Sequence, residues 1–136
     1  MPASRRGKGG CVIVIVTNNP LLKDEADALF VEGSFRDVLV KVRDMVHCGY
    51  ELITHPLFAS SRMMFSPYRT VIVGDKRDVS PQIECQIIED SIISYDKATA
   101  RRKPQPEHDG DYADVDRQLY LAALEEIAHI RGSQAI

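Results

Sequence analysis

The run Val12-Ile13-Val14-Ile15-Val16 constrains this chain most, because it passes without a charge into Thr17-Asn18-Asn19-Pro20. Residues 11–17 present apolar or β-branched side chains to both sides of an extended backbone, so neither face is suited to water. Such a strand belongs inside a sheet that is covered on both faces. Its end in three uncharged hydrogen-bonding side chains is the second constraint. A buried strand here gives way at once to a polar rim.

The rest of the chain alternates. Pro20 opens a short helix within "NNPLLKDEADA", and "LFVEG" reads as a second strand ending at Gly33. Ser34 and Asp37 make a carboxylate variant of the capping box at the start of the clearest helix. Phe35, Val38, Leu39, Val42, Met45 and Val46 follow at helical spacing, and Gly49 offers the left-handed residue that closes a helix. "YELIT" is a third strand ending at His55-Pro56, and "RTVIV" a fourth that stops at Gly74-Asp75. Residues 56–68 between them carry no period, and a connection of that length without its own structure is often functional. Ser80-Pro81 opens a helix with Ile83, Ile87, Ile88, Ile92 and Tyr95 on one face. A last helix over about 112–131 turns Val115, Leu119, Ala122, Ala123, Ile127 and Ile130 to the core.

This pattern predicts an α/β fold: a small, mostly parallel open sheet of about four strands with helices on both faces, a Rossmann-like three-layer arrangement. The expected organisation is a flexible basic tail at 1–10, an α/β domain at 11–99, a linker at 100–111 ("ARRKPQPEHDGD") and a C-terminal helix at 112–136 packed on the domain.

Several classes are disfavoured. A net charge of −3 gives no broad attraction to nucleic acid or anionic membrane. No apolar run approaches the ~18 residues of a membrane-spanning helix. Cys11, Cys48 and Cys85 are odd in number and widely spaced, which fits a reducing cytoplasm. The basic start is followed by only a brief apolar stretch and no small-residue cleavage site, so it reads as a tail. There is no G-x-S-x-G, P-loop or G-x-G-x-x-G. His47, Cys48 and His55 match no zinc spacing, so neither metal nor cofactor is expected. Cys48 lies at a helix C-terminus, where the dipole disfavours a thiolate. Cys85, in a helix's first turns, is better placed, with a small packed side chain as the alternative.

The chemistry-bearing residues gather at strand ends. In open α/β sheets ligands bind outside the carboxyl ends of the strands. If the strands ending at Thr17-Asn18-Asn19 and Thr54-His55 run in parallel, these five residues rim one edge. Their hydroxyl and amide groups suit a small polar ligand, and His55 is a candidate acid–base group. The loop before the fourth strand would cover that edge, with Arg62 or Arg69 able to meet an anion. The competing reading is structural, since Asn and Thr before Pro also form caps and turns that satisfy their own backbone. The first long helix carries Asp37, Lys41, Arg43, Asp44 and His47 on its polar side. That is either a solvated face or a binding surface.

Taken together, T-N-N-P (17–20), "GSFRDVLVKVRDMVH" (33–47), T-H-P-L (54–57) and S-P-Y-R (66–69) resemble the GrdX-like family, over about residues 12–93. That family is associated with the glycine, sarcosine and betaine reductase gene clusters of amino-acid-fermenting bacteria. The resemblance implies an accessory protein and not a catalytic subunit. Its motifs mark Thr17, Asn18, Asn19, Asp37, Lys41, Arg43, Asp44, His47, Thr54, His55, Pro67, Tyr68 and Arg69. The chain departs from the pattern over 58–65, which reads "FASSRMMF" where a more polar stretch is expected.

Three functions follow. One is a cytoplasmic accessory protein that binds a reductase component, with Phe58, Met63, Met64 and Phe65 as exposed apolar contacts. A second is a small-molecule binder or enzyme at the strand edge, with Thr17, Asn18, Asn19, Thr54, His55, Ser66, Tyr68 and Arg69 as its ligand-binding set. In the third, the polar motifs only hold the fold. Self-association into a homo-oligomer stays open in each.

Overall fold

The computed structural model describes residues 13–59, 61–76, 82–101 and 109–134. The expected basic tail, Cys11, the Ser80-Pro81 helix start and residues 102–108 of the expected linker lie outside them, as do the side chains of Arg62 and Ile130. In chain order the elements are β1 (Val14–Thr17), β2 (Ala28–Phe30), α1 (Phe35–His47), β3 (Tyr50–Leu52), β4 (Thr70–Lys76), α2 (Gln82–Arg101) and α3 (Asp109–Gln134). Short 3-10 turns occupy Pro20–Leu22 and Ser61–Phe65.

The fold is α/β around a four-stranded mixed sheet of order β2-β1-β4-β3. The expectation of a mostly parallel, Rossmann-like sheet is corrected. Only β1 and β2 pair in parallel, while β4 is antiparallel to both β1 and β3. The reason lies in the segment before β4. A parallel return needs a long crossover, usually a helix. Among the described residues, 53–69 hold only the single 3-10 turn at Ser61–Phe65, so β4 comes back alongside in the opposite sense. Because β1 and β3 are each antiparallel to β4, they point the same way. Their polar ends therefore do share an edge, with the start of β4 between them.

Two cores flank the sheet. On one face Val14, Val16, Val71 and Val73 pack against Phe35, Val38, Leu39, Val42 and Val46 of α1 and Ile88, Ile92 and Tyr95 of α2. Each buried aliphatic or aromatic side chain there stabilises the fold by roughly 1.5–3 kcal/mol. Phe35 stacks on Tyr95 at 4.6 Å and meets Phe58 edge-on at 5.7 Å. On the other face Ile15 and Ile72 meet Leu22 and Tyr120, backed by Ala123, Leu124 and Ile127.

Helix α1 begins where its sequence says it should. Ser34 accepts from the Asp37 backbone N–H, and Asp37 accepts from the Ser34 backbone N–H at 2.8 Å. It ends at Gly49, whose φ of 109° is open to glycine and strained for any side chain. On α2, Ile88, Ile92 and Tyr95 are buried as expected, but Ile83 is 77% exposed. Glu84 in the same turn accepts a hydrogen bond from the Leu52 backbone N–H of β3. That bond fixes the rotation of the helix and turns Ile83 outward. The same carboxylate closes part of a sheet edge that would otherwise offer free donors.

Replacing Gly49 by Ala should lower the unfolding free energy by about 1–2 kcal/mol, because alanine must then adopt the left-handed region. Urea unfolding followed by circular dichroism checks this.

Candidate functional site

At the shared edge the side chains turn inward. Thr17, Asn18 and Asn19 are all buried. The hydroxyl of Thr17 lies 2.8 Å from that of Thr70 and accepts from the Asn19 backbone N–H at 3.0 Å. Asn18 donates to the carbonyls of Gly33 at 2.9 Å and Pro67 at 2.8 Å, and accepts from the Arg69 backbone N–H at 2.9 Å. One amide thus ties the end of β1 to the approach to α1 and to the approach to β4. Asn19 caps the 3-10 turn by accepting from the Leu21 N–H at 3.0 Å.

The residue that organises this edge was not among those expected. Asp116 of α3 is 1% exposed. Its carboxylate accepts from the Thr70 hydroxyl at 2.6 Å, the Thr70 N–H at 3.0 Å and the Asn19 side-chain amide at 2.9 Å. Three donors on one buried carboxylate offset much of what it loses by leaving water. The bonds also set the rotation of α3, since Asn19 donates to the Ala113 carbonyl as well. The inward face of α3 is Ala113, Asp116 and Tyr120, continuing through Ala123, Leu124 and Ile127. Val115 and Leu119, expected in the core, are 41% and 44% exposed, and Ala122 is exposed with them. The signal for the true face was a 3-4-3-4 spacing through Ala113, Asp116, Tyr120, Ala123 and Ile127, which a purely apolar count rejects because an aspartate stands in it.

Arg69 is buried beside this network. It donates to the Pro56 carbonyl at 2.7 Å and the His55 carbonyl at 2.6 Å, and its guanidinium lies 4.1 Å over the Phe58 ring. Burial pulls its pKa down to about 10, with Asp116 opposing the shift. Ser66 is buried and closes a turn, accepting from the Tyr68 N–H at 3.0 Å and donating to the Tyr68 carbonyl at 2.9 Å. Tyr68 is half-buried.

Thr54 and His55 differ from the others. Thr54 is half-buried and accepts from the Ile72 N–H at 2.9 Å, and His55 is exposed. His55 Nδ1 lies 3.0 Å from the Leu57 backbone nitrogen and 3.3 Å from the Leu57 carbonyl oxygen. Both residues line a groove of about 250 Å3. Leu57 and Phe58 line it from the same segment, Leu119, Tyr120 and Ala123 from α3, and Arg69, Thr70 and Ile72 complete it. Burial raises the Tyr120 hydroxyl to a pKa of about 12, with Glu25 and Asp27 adding to the rise.

The polar side of α1 does not converge on this edge. Asp37 belongs to the helix cap, Lys41 is exposed, Arg43 lies 3.5 Å from its neighbour Asp44, and His47 lies 3.2 Å from Glu89 of α2. The expected apolar contact loop is also corrected. Met63 and Met64 are buried, and Phe58 and Phe65 are half-buried. The two methionines, flexible and apolar, fill the space under the turn at 61–65. Among the described residues no group of three or more His, Cys, Asp or Glu side chains is placed to hold a metal ion.

The family model described as GrdX-like protein matches residues 14–125. The chain belongs to the GrdX-like family. The match reaches 125, beyond the 12–93 of the resemblance, so it takes in Asp116, Tyr120 and most of α3. The GrdX-like span therefore includes both partners of the buried network and both walls of the groove. No curated protein and no solved structure matches the chain. No helix among the described residues is long and apolar enough to cross a membrane.

Asp116→Ala should cost about 3–5 kcal/mol, because it strands Thr70 and Asn19 donors and removes the carboxylate nearest the buried Arg69 charge. Val115→Ala, one residue away on the exposed side, should stay within about 0.5 kcal/mol. Equilibrium unfolding of the two variants side by side tests the orientation of α3.

Proposed function

We propose that this GrdX-like protein is a cytoplasmic accessory protein of the glycine, sarcosine and betaine reductase system, and that it acts by binding a protein component of that system. The reading rests first on family membership across residues 14–125. The single observation in the geometry that supports it is the rotation of α3. Asp116 turns Val115, Leu119 and Ala122 outward within the family span, on one face of α3. Clustered apolar side chains on a surface favour association with another protein.

The inward use of the polar motif supports the same reading. Thr17, Asn18, Asn19, Ser66 and Arg69 make their hydrogen bonds within the fold. Those bonds hold β1, β4 and α3 together. The surface on which a partner reads the protein is the α3 stripe.

The test is retention of a named partner. The tagged chain, purified gently beside the reductase subunits, should hold one of them at a fixed stoichiometry in native mass measurement. Val115→Asp should release it without lowering stability by more than about 0.5 kcal/mol. Absence of every reductase subunit from the wild-type chain, or retention by Val115→Asp equal to wild type, would overturn the proposal.

A further inference from the structure

Among the described residues, Arg69 has no hydrogen-bond acceptor at Nη1. Its Nε and Nη2 atoms are paired to the Pro56 and His55 carbonyls, and neither of its recorded side-chain hydrogen bonds uses Nη1. Asp116 Oδ1 stands 4.0 Å from Nη1, too far for a hydrogen bond. A buried guanidinium with an unused arm is uncommon, because each unpaired donor loses its hydration without replacement. Arg69 is only 7% exposed, and it lines the groove.

A second donor faces the same space. Thr54 uses its oxygen to accept from Ile72, and among the described residues its hydroxyl proton has no recorded acceptor. The rest of the lining is mostly apolar, through Leu57, Phe58, Ile72, Leu119 and Ala123, with His55, Thr70 and Tyr120 also on it.

From this combination we infer that the groove is a binding site for a small carboxylate with an apolar body, its oxygens on Arg69 Nη1 and the Thr54 hydroxyl and its body between Phe58 and Ala123. The volume of about 250 Å3 suits a metabolite-sized molecule. The charge balance favours an anion. Asp116 already shares its charge among three donors, and its opposing pull on Arg69 is smaller than the effect of burial. A carboxylate at Nη1 would supply what Asp116 leaves unsatisfied. The groove shares Leu119 with the exposed stripe but does not use Val115, so Val115→Asp and Ala123→Phe separate this inference from the partner-binding reading.

Benzoate is a suitable probe, with benzamide as its uncharged counterpart, in an NMR titration of the full chain. Benzoate should shift the Arg69 Nε–H and the Leu57 and Ala123 resonances, with a Kd of ~1–10 mM for so small a ligand. Benzamide should bind about tenfold more weakly, the share expected of one charge-assisted bond. Ala123→Phe, which fills the groove from a half-buried helix position, should abolish the shifts while thermal unfolding confirms a folded chain. Arg69→Gln, where it folds, should erase the preference for benzoate over benzamide. Where it does not fold, the benzamide comparison and Ala123→Phe decide. Equal binding of benzamide, no shift with benzoate, or shifts that persist in folded Ala123→Phe would each overturn the assignment.

Discussion

The carboxylate of Asp116, held by Thr70 and Asn19, is the contact on which the arrangement of this protein depends. It joins the end of β1, the start of β4 and the second turn of α3, three places far apart in the chain. A carboxylate can be buried only where donors meet it, and these three can be supplied only when strand and helix are both in register. The bond set therefore fixes which side of α3 faces the sheet. A purely apolar seam would tolerate rotation, and the hydrogen bonds do not.

Two consequences follow from that rotation. Val115, Leu119 and Ala122 are carried outward, which gives the protein an apolar stripe on a helix that also helps close its second core. Leu119, Tyr120 and Ala123 are carried to the flank, where they form one wall of the groove beside Thr54 and Arg69. The packing of α3 and the side chains it leaves exposed are thus set by one interaction. The same reasoning explains why the β1 end carries Thr17, Asn18 and Asn19, whose hydrogen bonds hold separate segments together. Asn18 alone makes three hydrogen bonds to two separate segments, and few side chains offer two donors and an acceptor in that span.

Much of the local structure was legible. The capping box at Ser34 and Asp37, the left-handed Gly49, the apolar face of α1 and the burial of β1 all follow from short-range chemistry, and all are present. Even the shared edge of the two strand ends was foreseen, though by the wrong topology. What failed were inferences that need distant information. Met63 and Met64 read as an exposed contact loop, because nothing local says that a turn will fold back over a core. Ile83 and Val115 read as core, because apolar periodicity cannot see Glu84 reaching to Leu52 or Asp116 reaching to Thr70.

The sequence by itself determined that the chain makes short strands alternating with helices, where its main helix starts and stops, and that β1 is covered on both faces. These depend on backbone propensity, capping and period, all readable within a few residues. Tertiary structure alone decided that β4 runs against its neighbours, that Asp116 and not Val115 faces inward, and that the buried Arg69 lines a groove. Each of these is a pairing between groups tens of residues apart. Their outcome depends on which donors and acceptors meet once the chain has closed, and no local pattern encodes that.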